Sequence, residues 1–315
     1  VIESTMDILA EQLGMDPIAL RKINALRVGS VTNTGQVLRE SVGLLECIER
    51  VEHELLQRAG ENPFTPRPVD GSPHKVRAWG FAVAYKNTGL GGGAPDKAGA
   101  EVELYLDGTL EVRTASAELG QGLVTVLRMI VAEEFNLSPQ RVRVLVMDTD
   151  LTPDGGPTTA SRQTYVTGNA ARHAAQALRQ AVAATLAEKY DLPPEQVQFV
   201  EGLAQVGRQR IPLGQAVVEM HKEGRAAKVL YEYWAPATKP LGQGGDMHFA
   251  FGFAAQAAEV EVDRRTGEVR VTQVIAANDV GKAINPLGLQ GQVEGGIMMG
   301  LGNALTEEFI VEQGR

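Results

Sequence analysis

AEVELYLDGTLEVRTASAELGQG, residues 100–122, holds the pattern that decides the fold. Val102, Leu104 and Leu106 alternate with Glu101, Glu103 and Tyr105, and Leu110 and Val112 alternate with Glu111 and Arg113. A period of two predicts strands over Ala100–Leu106 and Leu110–Ala115. Asp107-Gly108 between them is a strong hairpin signal, because a tight two-residue turn needs positive φ at its centre. A polar turn, Gly120-Gln121-Gly122, then opens an apolar helix over about 122–136. The scheme recurs near the other end of the chain. Strands over Ala258–Val262 and Glu268–Ile275 flank Thr266-Gly267, and Gly291-Gln292-Val293 opens an apolar helix running to about Phe309. We read this as a degenerate internal duplication. It predicts an α+β architecture of two related lobes, each a hairpin, a polar turn and a helix.

The intervening segments follow from local signals. Ile2, Met6, Leu9 and Leu13 have helical spacing, and Asp16-Pro17 reads as an N-cap with proline at the first helical position of a second helix ending near Leu26. Leu44, Leu45, Ile48, Val51 and Leu55 predict a third helix over about 42–58. The proline-rich, polar stretch Gly60–Lys75 is the linker candidate. A strand is expected over Ala78–Lys86, a glycine-rich loop at Gly89–Gly93, a strand at Val142–Met147 and a helix over 165–189. Val1 in place of an initiator methionine, and Arg315 soon after an apolar stretch, make both ends read as cuts inside a larger protein.

Composition narrows the partners. The formal charge is −9, from 39 acidic and 30 basic residues, which disfavours a nucleic-acid partner. No apolar run approaches the ~20 residues of a membrane span, so no membrane partner is expected, and no secretory leader is visible. Cys47 is the only cysteine, which rules out an internal disulfide or a cysteine-held cluster and fits a cytoplasmic location. His53, His74, His173, His221 and His248 show no paired metal-ligand spacing, so no protein metal ligands are expected.

Three segments gather small polar residues at helix starts. Glu118–Gly122 offers glycines for close backbone approach and N–H groups suited to an anion, or else is a plain strand-to-helix turn with a solvated Gln121. Pro157–Thr164 offers the hydroxyls of Thr158, Thr159, Ser161 and Thr164, the small Ala160, and in Arg162 a forked cation suited to phosphate; an N-cap with polar neighbours is the other reading. Asp279–Gly296 gathers amides and glycines, which otherwise serve helix packing. Together the three point to a large, polar, phosphate-bearing ligand held by backbone and amides.

In this order, these segments resemble the molybdenum-cofactor subunit of the xanthine dehydrogenase/aldehyde oxidase/carbon monoxide dehydrogenase family. Glu118–Gly122 is similar to its E-x-G-Q-G element, Pro157–Ser161 to its T-x-A-S element and Gly291–Gly295 to its G-Q-x-x-G element. The stretch Met6-Asp7, Leu13–Pro17, Arg21 and Asn24 resembles a helical segment of the same subunit. The resemblance implies oxidative hydroxylation of an aldehyde or N-heterocycle at molybdopterin-bound molybdenum, with the cytosine dinucleotide as one form of the cofactor. Partners implied are an iron–sulfur subunit, an FAD subunit in many members, the remaining part of the molybdenum subunit and a small-molecule substrate.

Carried over by position, Gly120, Gln121, Gly122, Thr159, Ala160, Ser161 and Gln292 are the cofactor-binding candidates, and Phe81 or Tyr85 would lie near the substrate funnel unless both are strand core. The family's catalytic glutamate falls beyond Arg315, so no catalytic residue is assigned and the chain alone is expected to be inactive. The implied domains are 1–70, the helical tail of a first cofactor-binding lobe, and 75–315, a second region with sub-lobes of about 76–240 and 245–315. The rival readings are a non-catalytic assembly fragment without cofactor and a nucleotide- or phosphate-binding module.

Overall fold

The computed structural model describes residues 1–314. Helices α1 (Ile2–Leu13), α2 (Pro17–Asn24) and α3 (Leu44–Ala59) form where their spacing predicts. Asp16 caps α2 by accepting from the N–H groups of Ile18 and Ala19, with Pro17 at the first position. Leu44, Ile48, Val51 and Leu55 form the buried face of α3. This face packs on the first sheet, β1 (Arg67–Val69), β2 (Ser72–Thr88), β10 (Ala250–Asp263) and β11 (Val269–Asp279), in the order β1-β2-β10-β11 with every neighbour antiparallel.

The second sheet has the order β5-β4-β3-β9, made of β3 (Lys97–Leu104), β4 (Leu110–Thr114), β5 (Val142–Val146) and β9 (Lys228–Trp234). The pair β4–β5 is parallel, as expected when helix α4 (Leu123–Glu134) carries the crossover between them. Ala98, Ala100, Val102 and Leu104 of β3 form one core with Leu127 and Val131 of α4 and with Leu178, Val182 and Leu186 of α5 (Gly168–Tyr190). A three-stranded meander, β6 (Val197–Val200), β7 (Leu203–Val206) and β8 (Gln209–Pro212), followed by α6 (Leu213–Lys222), closes this core.

Both sheets contain a hairpin, β3–β4 and β10–β11, each followed by a polar turn and a helix; the second helix is α7 (Pro286–Leu305). The outer partner of each first hairpin strand comes from the other half of the chain. β2 pairs with β10 and β9 pairs with β3, so the connections β2–β3 and β9–β10 both cross between the lobes. The hydrophobic cores follow this exchange: α2 and α3 share a core with Phe81, Phe253 and Ala255.

Several sequence expectations need correction. Gly60–Lys75 is not a free linker, since β1 and the start of β2 lie in it; β2 runs through Thr88 because Lys75–Thr88 pair continuously with β10. Gly89–Gly93 is a loop, as expected. Its backbone is tied to the other crossing, with Gly92 N–H donating to Met247 O at 2.8 Å and Gly93 N–H to Thr238 Oγ1 at 3.0 Å. The last helix begins at Pro286, because Asn285 caps it through Gly288 N–H and proline takes the first position. Gly291-Gln292-Val293 therefore lies within α7 and does not form its opening turn.

Candidate functional site

The end of β2, the start of β10, the first half of α4, the segment leading into α5 and the start of α7 line a cavity of about 770 Å³ between the lobes. That is the size range of small-molecule and cofactor sites. Each of the three polar segments reaches it: Gln121 and Gly122 from the first, Ser161 and Thr164 from the second, Gln292 from the third. Gly120, Thr159 and Ala160 lie beside these residues in the chain but outside the lining.

The first segment is closed upon itself. Gly120 and Gly122 have φ of 98° and 88°, values that let the chain fold back tightly. Inside this turn the Glu118 carboxylate accepts from Gly120, Gly122 and Val124 N–H at 2.8, 3.0 and 2.9 Å. Burial pushes the Glu118 pKa up, but these backbone donors, Val124 first, outweigh it and hold the carboxyl below its usual range. The α4 start expected to receive a ligand's anion is thus filled by the chain's own carboxylate. Gln121 is likewise engaged, donating from Nε2 to Ala117 O at 2.8 Å, and its side chain forms a wall. Glu118 went unassigned in the sequence reading, although its place two residues before Gly120 at a helix start was the available signal.

The second segment is held from behind. Arg162, expected to offer its fork to a phosphate, is fully buried and turned away from the cavity. Its partners are Asp96 at 2.6 Å and the carbonyls of Gly155, Pro157 and Lys97. Thr158 Oγ1 accepts from Ala117 N–H and from Gln163 Nε2, both at 2.8 Å, which ties this segment to the first. Ala160 and Ser161 both have left-handed backbones, φ 53° and 55°. Next comes one π-helical turn, Gln163–Thr167, a widening often found at functional sites. It turns Thr164 and Tyr165 into the cavity. Behind Tyr165 stand Phe249 and Tyr233, with ring centroids at 4.8 and 6.2 Å. Burial, then the neighbouring Tyr165, push the Tyr233 hydroxyl up to about 12, so it stays protonated.

The third segment is open. Asp279 accepts from Gly43 N–H and Gly281 N–H, each at 3.1 Å, and so ties the end of β11 to the start of α3. Lys282 forms no ion pair among the described residues, and it lines the cavity with Asn285, Gly288 and Gln292. The lining also carries Lys86, which donates to Asn87, and Arg172, paired with Glu134 at 2.9 Å. The lining thus carries three cations, one of them already paired with Glu134, and the single carboxylate of Asp279. None of these cations was singled out in the sequence. They converge only because β2, α5 and the end of β11 meet here.

Neither Phe81 nor Tyr85 lines this cavity. Phe81 is buried in the core beneath the N-terminal helices. Tyr85 lies outside the lining, donates to Asn33 at 3.0 Å and packs against Phe251, which does line the cavity. Among the described residues no cluster of histidine, cysteine or carboxylate side chains is built to hold a metal ion. No helix among them is long and apolar enough to cross a membrane.

The cavity lining brings three cations together with the hydroxyls of Ser161 and Thr164 and the amides of Asn285 and Gln292. Comparisons with known proteins identify the family. Residues 55–315 match the family described as the molybdopterin cofactor-binding domain, and the chain belongs to that family, as a molybdenum-binding domain of the xanthine dehydrogenase/aldehyde oxidoreductase type. It is 29% identical to the xanthine dehydrogenase molybdenum-binding subunit of Escherichia coli O157:H7 over 99% of its length and 40% of the relative's. It is 30% identical to the aldehyde oxidoreductase of Megalodesulfovibrio gigas over 98% of its length and 31% of the relative's. The crystal structure of quinoline 2-oxidoreductase from Pseudomonas putida 86 superposes with a TM-score of 0.79 at 25% identity, covering 99% of this chain and 40% of that one. The chain therefore spans well under half the length of these relatives.

Proposed function

We propose that the cavity between the lobes holds molybdopterin, and that the full-length protein is a molybdenum hydroxylase acting on an aldehyde or N-heterocycle. The observation that carries this reading is the convergence of Gln121, Ser161 and Gln292, from three separate segments, on one cavity. Gln292 and the hydroxyls of Ser161 and Thr164 offer donors and acceptors to the polar edges of a pterin. Lys86, Arg172 and Lys282 balance its phosphate, or the pyrophosphate of the cytosine dinucleotide form. The Glu118–Gly122 turn, with its groups already satisfied, gives a rigid wall that excludes water. When bound, the cofactor supplies the two-electron oxidation that accompanies hydroxylation.

The cavity's one carboxylate, Asp279, is committed to two backbone N–H groups. We assign it bracing and look for the general base elsewhere in the full-length protein. The electrons would leave through iron–sulfur clusters, and in an FAD-containing arrangement through flavin, on other domains or subunits. The test is the molybdenum and pterin content of the full-length protein purified with its partner subunits. About one of each per chain is expected; absence of both from every preparation would overturn the proposal.

A further inference from the structure

We propose that Arg162 and Asp96 form a buried clamp that sets the shape of the cavity-facing loop 157–165, with Arg162 as a positioning residue that never touches the ligand. The proposal rests on the reading of the cavity as a pterin site. The side chains are 0% and 5% exposed and meet at 2.6 Å. A buried guanidinium is tolerated only when its donors are matched. Here Nε donates to Asp96 Oδ1, Nη1 to the carbonyls of Gly155 and Pro157 at 3.0 and 2.9 Å, and Nη2 to Lys97 O at 2.5 Å. One planar group thereby fixes the start of β3 against the N-terminal end of the loop. Lysine, a point charge on a flexible stem, cannot do this.

Asp96 extends the clamp. Its Oδ2 accepts from Leu90 N–H at 2.8 Å, and its carbonyl accepts from Ala235 N–H at 2.8 Å, so both crossings between the lobes are joined to it. Glycines make room for the pair. A Cβ on Gly156 would stand 2.9 Å from Arg162 Nη2, and one on Gly89 would stand 2.9 Å from Asp96 Oδ2.

What the clamp holds is unfavourable by itself. Ala160 and Ser161 are consecutive L-residues in the left-handed region, which lowers the population of that conformation roughly fivefold to thirtyfold per residue. Neighbouring structure must over-determine such a pair. The contacts that do so are Gly89 N–H to Ala160 O at 3.0 Å and Arg162 N–H to Thr159 O at 3.2 Å, both adjoining the clamp. Ser161 and Thr164, which line the cavity, take their directions from this backbone.

The test uses the full-length protein carrying Arg162→Lys, alone and with Ala160→Gly, the second change removing the Cβ that makes positive φ unfavourable. Pterin content, amide hydrogen exchange over 157–168 and melting temperature are read together. Arg162→Lys is expected to lower pterin content at least tenfold and to speed exchange over 157–168 by a similar factor. Adding Ala160→Gly is expected to recover at least fivefold of the pterin content while the melting temperature stays low. Asp96→Asn, which keeps the volume and one acceptor oxygen, should show the same pattern at about threefold if Arg162→Lys does not accumulate.

Wild-type pterin content and exchange in Arg162→Lys would overturn the clamp. So would a loss that follows melting temperature and is not recovered by Ala160→Gly, since it would reduce Arg162 to general stability. Pterin missing from the wild-type protein would overturn the functional reading instead, and the exchange readout separates that outcome from failure of the clamp.

Discussion

The two hairpin–turn–helix units of this chain share a pattern and differ in what their turns do. Between β4 and α4 the turn is closed: three backbone N–H groups point inward to the Glu118 carboxylate and the Gln121 amide donates to the carbonyl of Ala117. Between β11 and α7 the turn is open. Its carboxylate, Asp279, reaches outward to Gly43, and Lys282 faces the cavity without an ion-pair partner among the described residues. The same pattern therefore builds the framework twice with different polar groups: in one copy the turn folds around its own carboxylate, and in the other Lys282 keeps no ion pair among the described residues.

That contrast can be broken from either side. The largest expected effect is on the bracing of the open turn, where a Cβ at Gly43 would stand 2.3 Å from Asp279 Oδ2. Gly43→Val should displace Asp279 and destabilise the fold by about 1–3 kcal/mol, the usual cost of overpacking, measured by denaturant unfolding. Lys282→Glu should lower the pterin content of the full-length protein at least tenfold, on the order of 1.4 kcal/mol, with little change in melting temperature because no ion pair is lost. Unchanged pterin content would mean that the open turn is not the ligand side.

Glu118→Ala, at the closed turn, should lower stability by about 1 kcal/mol through loss of a helix cap. The smallest effect is in pH dependence. The Glu118 carboxyl is held below its ordinary value of 4.5 by its backbone donors, so its contribution is present above about pH 4.5 and is lost as pH falls through the lower folded value. Glu118→Gln should flatten that part of the stability–pH curve, and an unaltered curve would contradict the closed-turn geometry.

The fold was legible where signals are local. The β3–β4 hairpin announces itself through alternation and Asp107-Gly108, and α2 through Asp16-Pro17. Strand ends were not, because β2 and β10 extend each other by pairing over residues far apart in the chain. The four-residue strands β6, β7 and β8 are too short to show a period. For the candidate site, motif order singles out Gln121, Ser161 and Gln292, which share one cavity lining, yet residue type misled at Arg162, since a fork that suits phosphate equally suits a buried carboxylate and three carbonyls. The cavity cations Lys86, Arg172 and Lys282 had no sequence signal, because only the exchange of strands between the lobes brings them together.

The most direct measurement is amide hydrogen exchange of the full-length protein with and without its cofactor. Protection should appear over 159–168 and 280–292, the segments that open to the cavity, while 118–124 changes little because its N–H groups are already engaged. Protection confined to 118–124, or none on either cavity segment, would contradict the assignment of this cavity as the cofactor site.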